Sequence, residues 1–170
     1  EDPGESNAAC GHRRWLLHSM ADEFGFGAAY DPSYHMWSAE ALHVVGNRTR
    51  PEVIAEYIAW PPAGYIPSPL VFPRGSFVVP AAHGTVSTAA ARVTMSGADG
   101  ESIPVKRHPE KKGSEPGFTW DILPALSSLD SFRLKWHNRP ITVKVSGITI
   151  NGEPRDYEYQ FTIVFPDDIP

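Results

Sequence analysis

One histidine of this chain lies in a setting that could support chemistry. His12 belongs to a Gly-His-Arg-Arg run at residues 11–14, and an imidazole can bind a metal ion or transfer a proton near neutral pH. His12 is therefore the candidate ligand-binding residue and the candidate metal ligand. One histidine is not a site, however, because zinc needs three or four ligands and residues 1–9 supply no second histidine. A histidine that starts a helix and hydrogen-bonds locally is an equally open interpretation.

The other histidines show no metal-binding pattern. None falls in a His-x-x-x-His arrangement, and the His-x-Glu of residues 108–110 has no further ligand beside it in sequence; the six are His18, His35, His43, His83, His108 and His137. The sequence also contains no Gly-x-Ser-x-Gly elbow, no phosphate-binding loop and no His-Glu-x-x-His motif. We therefore predict no catalytic residue, and we interpret the chain as a binding protein rather than an enzyme.

A thiol and a set of aromatic residues are the remaining candidates. Cys10 is the single cysteine, so it can form no internal disulfide; it is either a half-buried thiol or a bridge to a segment outside this chain. Several aromatic residues could form a platform that stacks on sugar rings, although on strands such residues more often belong to the core. These aromatic residues are Tyr30, Tyr34, Trp37, Trp120 and Trp136.

Composition narrows the class of partner. The 170 residues carry a formal net charge of -5, which argues against a nucleic-acid-binding protein because such proteins need a basic face. No apolar stretch approaches the ~20 residues of a membrane-spanning helix. We expect no nucleic-acid partner, no membrane span and no resident cofactor.

The first third of the chain predicts short elements. A helix is expected over residues 11–19, a buried strand over residues 24–29 and a second strand over residues 36–45. Prolines are dense over residues 61–69, and they block helices and interrupt sheet pairing. This stretch is predicted to be extended connecting chain, with a domain boundary near residue 61.

The remainder has the pattern of an antiparallel β domain. Apolar and polar residues alternate over residues 132–136, 141–145 and 157–165, as in half-buried strands. Residues 91–95 and 103–106 are predicted to form a hairpin, and Asn151-Gly152 favours a tight turn. About seven short strands with turns between them fit an immunoglobulin-like β-sandwich.

Two early runs carry a family resemblance. Residues 11–17, Gly-His-Arg-Arg-Trp-Leu-Leu, and residues 24–29, Phe-Gly-Phe-Gly-Ala-Ala, resemble the last part of a bacterial CAP domain, the family also called SCP or PR-1-like. Residues 59–67 look like the linker that follows this domain in some bacterial proteins, and residues 145–148 and 157–159 look like the closing strands of their C-terminal β domain.

The resemblance implies a role for His12. CAP domains have a cleft lined by two histidines and two acidic residues, and in some members the histidines hold a divalent metal such as zinc. His12 matches the second histidine, and the other cleft residues would lie upstream of Glu1. Arg13 matches the bacterial form of the motif.

These observations predict a mainly β chain, α+β overall, in two parts. Residues 1–60 would be the C-terminal portion of a CAP-like domain, and residues 61–170 the proline-rich linker with an immunoglobulin-like β-sandwich. The expected function is binding of an extracellular lipid, glycan or protein by a secreted or cell-surface protein, with an N-terminal CAP half or a second chain as a further partner. The alternatives are a metal-assisted hydrolase that uses His12 with upstream residues, and a carbohydrate-binding β-sandwich.

Overall fold

The computed structural model describes residues 7–21, 23–31, 37–44, 53–108 and 115–168. The chain is mainly β with a few short helices, so the predicted α+β class is confirmed. The predicted second strand is observed as Trp37–His43, and the end of that prediction at residues 36 and 45 lies outside the described residues.

The helices are short and lie outside the sheets. They are α1 (Gly11–Leu16), α2 (Leu123–Ser127) and α3 (Leu129–Lys135). Single 3-10 turns cover Ser68–Leu70, Ala81–His83 and Pro166–Asp168.

The strands run from the first third of the chain to its last residues. They are β1 (Gly25–Asp31), β2 (Trp37–His43), β3 (Ile58–Trp60), β4 (Gly64–Pro67), β5 (Arg74–Val78), β6 (Val86–Ser87), β7 (Arg92–Gly97), β8 (Ser102–Ile103), β9 (Val105–Arg107), β10 (Gly117–Ile122), β11 (Pro140–Ile150) and β12 (Glu153–Val164).

These strands form one ribbon and two larger sheets. β1 and β2 pair as an antiparallel ribbon. The smaller sheet has the order β3-β5-β10-β9, and the larger has the order β4-β12-β11-β7-β8, with β6 also paired to β11. β4 runs parallel to β12. We call the two larger sheets, with the helices α2 and α3, the β domain.

The two sheets of the β domain pack their apolar faces on one core. The Phe77 ring lies 5.2 Å from the Tyr157 ring of the opposite sheet, and Trp120 Nε1 lies 3.3 Å from Met95 Sδ. The long final strand fills this core as its alternation predicts, since Tyr157, Tyr159, Phe161 and Ile163 are all buried. Burial raises the pKa of the Tyr159 hydroxyl, and the neighbouring Tyr57 raises it further.

The predicted strand over residues 132–136 is wrong, because most of this segment belongs to helix α3. The Ser128 side chain accepts a hydrogen bond from the Ser131 amide and so caps the helix start. Phe132 and Trp136 are four residues apart, which places both on one face of a helix, and both are buried. A spacing of four fits a strand as well as a helix, so the alternation was ambiguous.

The proline-rich stretch is not purely connecting chain. Gly64–Pro67 forms strand β4 at the edge of the larger sheet, and Ile66 is in the core. Trp60–Pro61 is a cis peptide bond. β3 precedes this bond and pairs with β5 in the β domain, while the division of the chain near residue 61 stays a prediction.

The structure contains the tight turn predicted at Asn151-Gly152 and part of one predicted hairpin. Asn151 and Gly152 have φ angles of 53° and 85°, in the left-handed region that a tight hairpin turn requires, and they join β11 to β12. The hairpin predicted at residues 91–106 is confirmed in part: β7 pairs with β8, whereas β9 lies in the other sheet.

Candidate functional site

Helix α1 carries His12 on its exposed side. The helix ends at Leu16 rather than at residue 19, and His12 is exposed at its second position. The buried residues of α1 are Arg13 and Arg14, and Cys10 before the helix is a buried thiol. The Gly-His-Arg-Arg run therefore has two sides, one open to solvent and one packed on the β domain.

Arg13 fits into a socket on the smaller sheet. Its guanidinium donates to the carbonyl oxygen of Arg74 at 2.8 Å and lies 3.5 Å from Ser76 Oγ. Its Cζ atom also lies 5.8 Å from the Trp60 ring centroid and 5.5 Å from that of Phe72. A planar cation beside two aromatic rings gains cation–π energy while it keeps its hydrogen bonds.

Glu115 holds the chain around α1 at a second point. Arg14 donates to its backbone carbonyl oxygen, and the Ser19 amide donates to its carboxylate at 2.9 Å. The Ser19 hydroxyl donates to the same carboxylate, and His18 Nδ1 lies 3.8 Å from it. Since Glu115 is itself buried, these contacts replace the water that its charge would otherwise need.

A buried carboxylate, Asp121, lies on the same face of the smaller sheet. Arg74 Nε donates to Asp121 Oδ1 at 2.7 Å, and His108 Nε2 lies 2.9 Å from Asp121 Oδ2. Burial alone would raise the pKa of Asp121, but the contacts with His108 and Arg74 outweigh it and hold the pKa below its ordinary value. Asp121 is thus charged and paired, which suits a structural role.

His12 does not belong to a metal-binding cluster of the described residues. Across the part of the chain that the structure describes, no three His, Cys, Asp or Glu side chains are grouped so that they could hold a metal ion. The described residues therefore do not fit the tetrad that the CAP resemblance implies, and no chemical step follows from them.

The ribbon of β1 and β2 exposes several large apolar side chains. The strand predicted over residues 24–29 exists at Gly25–Asp31, but the prediction that it is buried is wrong. Phe26 is 71% exposed, Tyr30 61% and Leu42 50%. A two-stranded ribbon with little buried surface is at best marginally stable in water. Contact with another protein segment would therefore stabilise the β1–β2 ribbon.

The two faces of the ribbon differ in shape. Cross-strand partners share a face, and the face on which Phe26 is paired with Leu42 also holds Tyr30 and Glu40, so it is bulky and largely apolar with one charge. On the other face Gly27 is paired with Ala41, and Ala29 with Ala39. These small residues leave the middle of the second face flat, between the Gly25–His43 and Asp31–Trp37 pairs, so another backbone could approach closely there.

The β domain carries open depressions that are lined by both charged and apolar side chains. One of about 350 Å³ lies on the larger sheet, and its lining includes Arg92, Lys144, Asp156 and Glu158. Another of about 420 Å³ lies between β8 and α3, where Lys135 pairs with Glu101 at its rim. Both are open to solvent, whereas ligand pockets usually enclose most of the ligand's surface.

The proposed sugar platform is not available on the β domain. Trp120 is 0% exposed and Trp136 is 1% exposed, so neither ring can stack on a ligand. Tyr30 is the exposed member of the set, while Tyr34 and the side chain of Trp37 lie outside what the structure describes.

Comparisons with protein-family models, with curated proteins and with solved structures find no match to this chain. The CAP resemblance therefore stays a prediction that rests on sequence motifs. In the described parts of the chain, none of the helices has the length and apolar character needed to cross a membrane.

Sequence reasoning found His12 but missed its neighbours. Arg13 and Arg14 anchor α1 on the smaller sheet, and adjacent arginines in an otherwise apolar run were a usable signal, because arginine often pairs at interfaces. Glu115 gave no such signal. Its partners are about a hundred residues away in sequence, and no local pattern records that distance.

Proposed function

We propose that this chain is an interaction protein whose ribbon of β1 and β2 is covered by the remainder of a CAP-like domain. The carrying observation is the ribbon itself, which exposes Phe26, Tyr30 and Leu42 on a sheet of two strands. Exposing such a surface to water is unfavourable, and a partner that covers it stabilises the complex by about 25 cal/mol for each Å² of apolar area buried.

The resemblance identifies the occupant. In CAP-like proteins the strands matched by residues 24–29 belong to a larger α/β domain, so helices from an upstream segment or a second chain would cover the ribbon. The flat face formed by Gly27, Ala29, Ala39 and Ala41 supports close packing of this kind. The complete protein would then present its CAP cleft, with His12 in one wall, to an extracellular lipid, glycan or protein, which implies a secreted or cell-surface location.

The strand order supports an immunoglobulin-like assignment of the β domain. Immunoglobulin sheets have the orders A-B-E-D and C-F-G. With β3 taken as strand A and β4 as a short second half of it, β3-β5-β10-β9 matches the first order and β7-β11-β12 the second. In this proposal the β domain supports the interaction surface and does not bind through its core aromatics.

Hydrogen exchange tests the covered ribbon. The gene's open reading frame is expressed in full, and the amide exchange rates of β1 and β2 are compared with those of the present chain. We expect the ribbon amides to slow by at least tenfold in the full product, while the amides of β11 serve as the internal control and do not change. Equal ribbon rates in both proteins would contradict the proposal, as would a ribbon covered by self-association of the present chain alone.

A zinc titration distinguishes the proposed interaction protein from the alternative, a metal-assisted hydrolase. It requires ligands for His12 that the described residues do not provide, so calorimetry with zinc on this chain should detect no tight stoichiometric site. Tight binding that is lost in His12→Ala would instead favour the hydrolase.

A further inference from the structure

One face of the smaller sheet is polar and yet covered. Phe77, Phe118 and Trp120 point into the core, so the alternating positions of β5 and β10 point away from it. Ser76 is 4% exposed and Thr119 3%, and Arg74 and Asp121 on this face are also buried. The outer face of an antiparallel sheet is normally solvated, so something must lie over this one.

The cover is the chain's own residues 7–21. The Thr119 hydroxyl donates to the carbonyl oxygen of Ala8, Arg13 occupies its socket on β5, and Ser19 is held by Glu115. These contacts span the whole segment. Cys10, between the first two, is 0% exposed.

The chemistry of this contact differs from that of the core. It consists of hydrogen bonds, a His18–Glu115 contact and one guanidinium close to two aromatic rings. Ala8 and Cys10 are buried without belonging to the apolar core of the β domain. Removing the segment would therefore expose polar groups and would leave the core packing closed. Regions held in this way can open in separate steps from the global unfolding of a protein.

We infer that the outer face of the smaller sheet is a docking surface for a helix with two adjacent arginines, and that residues 7–21 occupy it as a tethered ligand. The surface recognises arginine by geometry as well as charge. The Arg13 guanidinium lies near two aromatic rings while it donates to a carbonyl oxygen, and a lysine ammonium cannot reproduce that planar arrangement.

This inference goes beyond the proposed function and does not depend on it, since every contact lies between described residues of this chain. It also assigns the β domain a task, because docking fixes α1 and hence the position of His12.

The single cysteine provides the measurement. Cys10 reacts with a thiol reagent only when its segment leaves the surface. The short-wavelength fluorescence of the fully buried Trp120 and Trp136 reports the core, apart from the emission of the more exposed Trp15 and Trp60 at the segment. The labelling rate of Cys10 is measured against urea concentration, alongside the unfolding curve from fluorescence. We expect labelling at low urea with a weaker urea dependence than global unfolding, because opening the segment exposes less surface.

Variants test which contacts hold the segment. Arg13→Ala, Arg13→Lys and Glu115→Ala should each raise the low-urea labelling rate at least tenfold while the fluorescence of the folded core is retained. Arg92→Ala, which removes an exposed arginine from the larger sheet, is the matched control and should label like the unmodified chain.

Three outcomes would overturn the inference. Labelling that follows global unfolding in every protein would make residues 7–21 an inseparable part of the domain, and so would loss of the core fluorescence in both Arg13 variants and Glu115→Ala. Labelling of Arg13→Lys at the unmodified rate would show that the surface reads charge alone.

Discussion

The β1–β2 ribbon and the β11–β12 hairpin have the same antiparallel pairing and opposite surroundings. Phe161 of β12 is 0% exposed, whereas Phe26 of β1 is 71% exposed. β11 and β12 have a second sheet packed on one of their faces, and the described residues leave Phe26 and Tyr30 of the ribbon open. Backbone pairing thus builds a strand, but burial of one face decides whether the strand contributes to the stability of the fold.

The variant with the largest expected effect on this contrast is Trp120→Ala. Truncation of a fully buried tryptophan should lower the free energy of unfolding by about 3–5 kcal/mol, as measured by urea denaturation. Tyr30→Ala on the ribbon is the control and should change it by less than about 0.5 kcal/mol. Similar losses in the two variants would mean that the ribbon is packed as tightly as the core.

Two strand glycines give the next comparison. A Cβ atom added to Gly75 would lie 2.3 Å from Cε2 of Trp120, whereas one added to Gly27 has nothing within 4 Å. Gly75→Ala should therefore cost about 1–3 kcal/mol through overpacking, and Gly27→Ala should change the unfolding free energy by less than about 0.5 kcal/mol. Thermal unfolding of the two variants measures the difference, and a tolerated Gly75→Ala would contradict the close contact with Trp120.

The loss of stability at acidic pH tests the contribution of Asp121 on the polar outer face of the smaller sheet. The pKa of Asp121 is lower in the folded chain than its ordinary value of 3.8. Its charged form therefore stabilises the fold above that value, and the contribution is lost as the pH falls through the lowered pKa. Thermal midpoints from about pH 6 to about pH 2 should show Asp121→Asn destabilised at the upper end and converging with the unmodified chain at the lower end.

Asp130 provides the control for this titration. Its side chain is 87% exposed, so Asp130→Asn should follow the unmodified chain at every pH. A constant offset between Asp121→Asn and the unmodified chain down to the lowest pH would show that Asp121 does not stabilise the fold through its charge.

The smallest expected effect belongs to Phe26→Ser. The side chain is mostly exposed, so the unfolding free energy of the β domain should stay within about 0.5 kcal/mol of the original. If the ribbon is covered as proposed, the same change should speed amide exchange in the ribbon of the full gene product, because a polar residue would then lie under the cover. If the ribbon amides of the full gene product exchange at the same rate with and without Phe26→Ser, Phe26 is not part of a covered surface.

Periodicity predicted the parts of the fold that local sequence determines. The alternation over residues 157–163 identified the buried face of β12, and Asn151-Gly152 identified its turn. It failed at Phe132 and Trp136, because two apolar residues four apart satisfy both a helix and a strand. It also failed at β4, where the parallel partner lies about a hundred residues away and the prolines hid the pairing.

The site was less predictable for the same reason. His12 was identified from its immediate neighbours, but its environment depends on Glu115, Ser76 and Thr119, which reach residues 7–21 only through the tertiary fold. The burial predicted for residues 24–29 followed from their apolar character. Apolar character indicates that residues 24–29 are stabilised by burial. It does not indicate whether another part of the same chain buries them.

The parallel pairing of β4 with β12 has a mechanical consequence. Gly64 pairs with Phe161 and Pro67 with Val164, so a pull that enters before β4 and leaves after β12 slides the two strands along each other. In that shear geometry the hydrogen bonds between them carry the load together and do not open one at a time. A protein attached on both sides of this domain would transmit tension through β4 and β12, and the core would stay closed until that short pair ruptured.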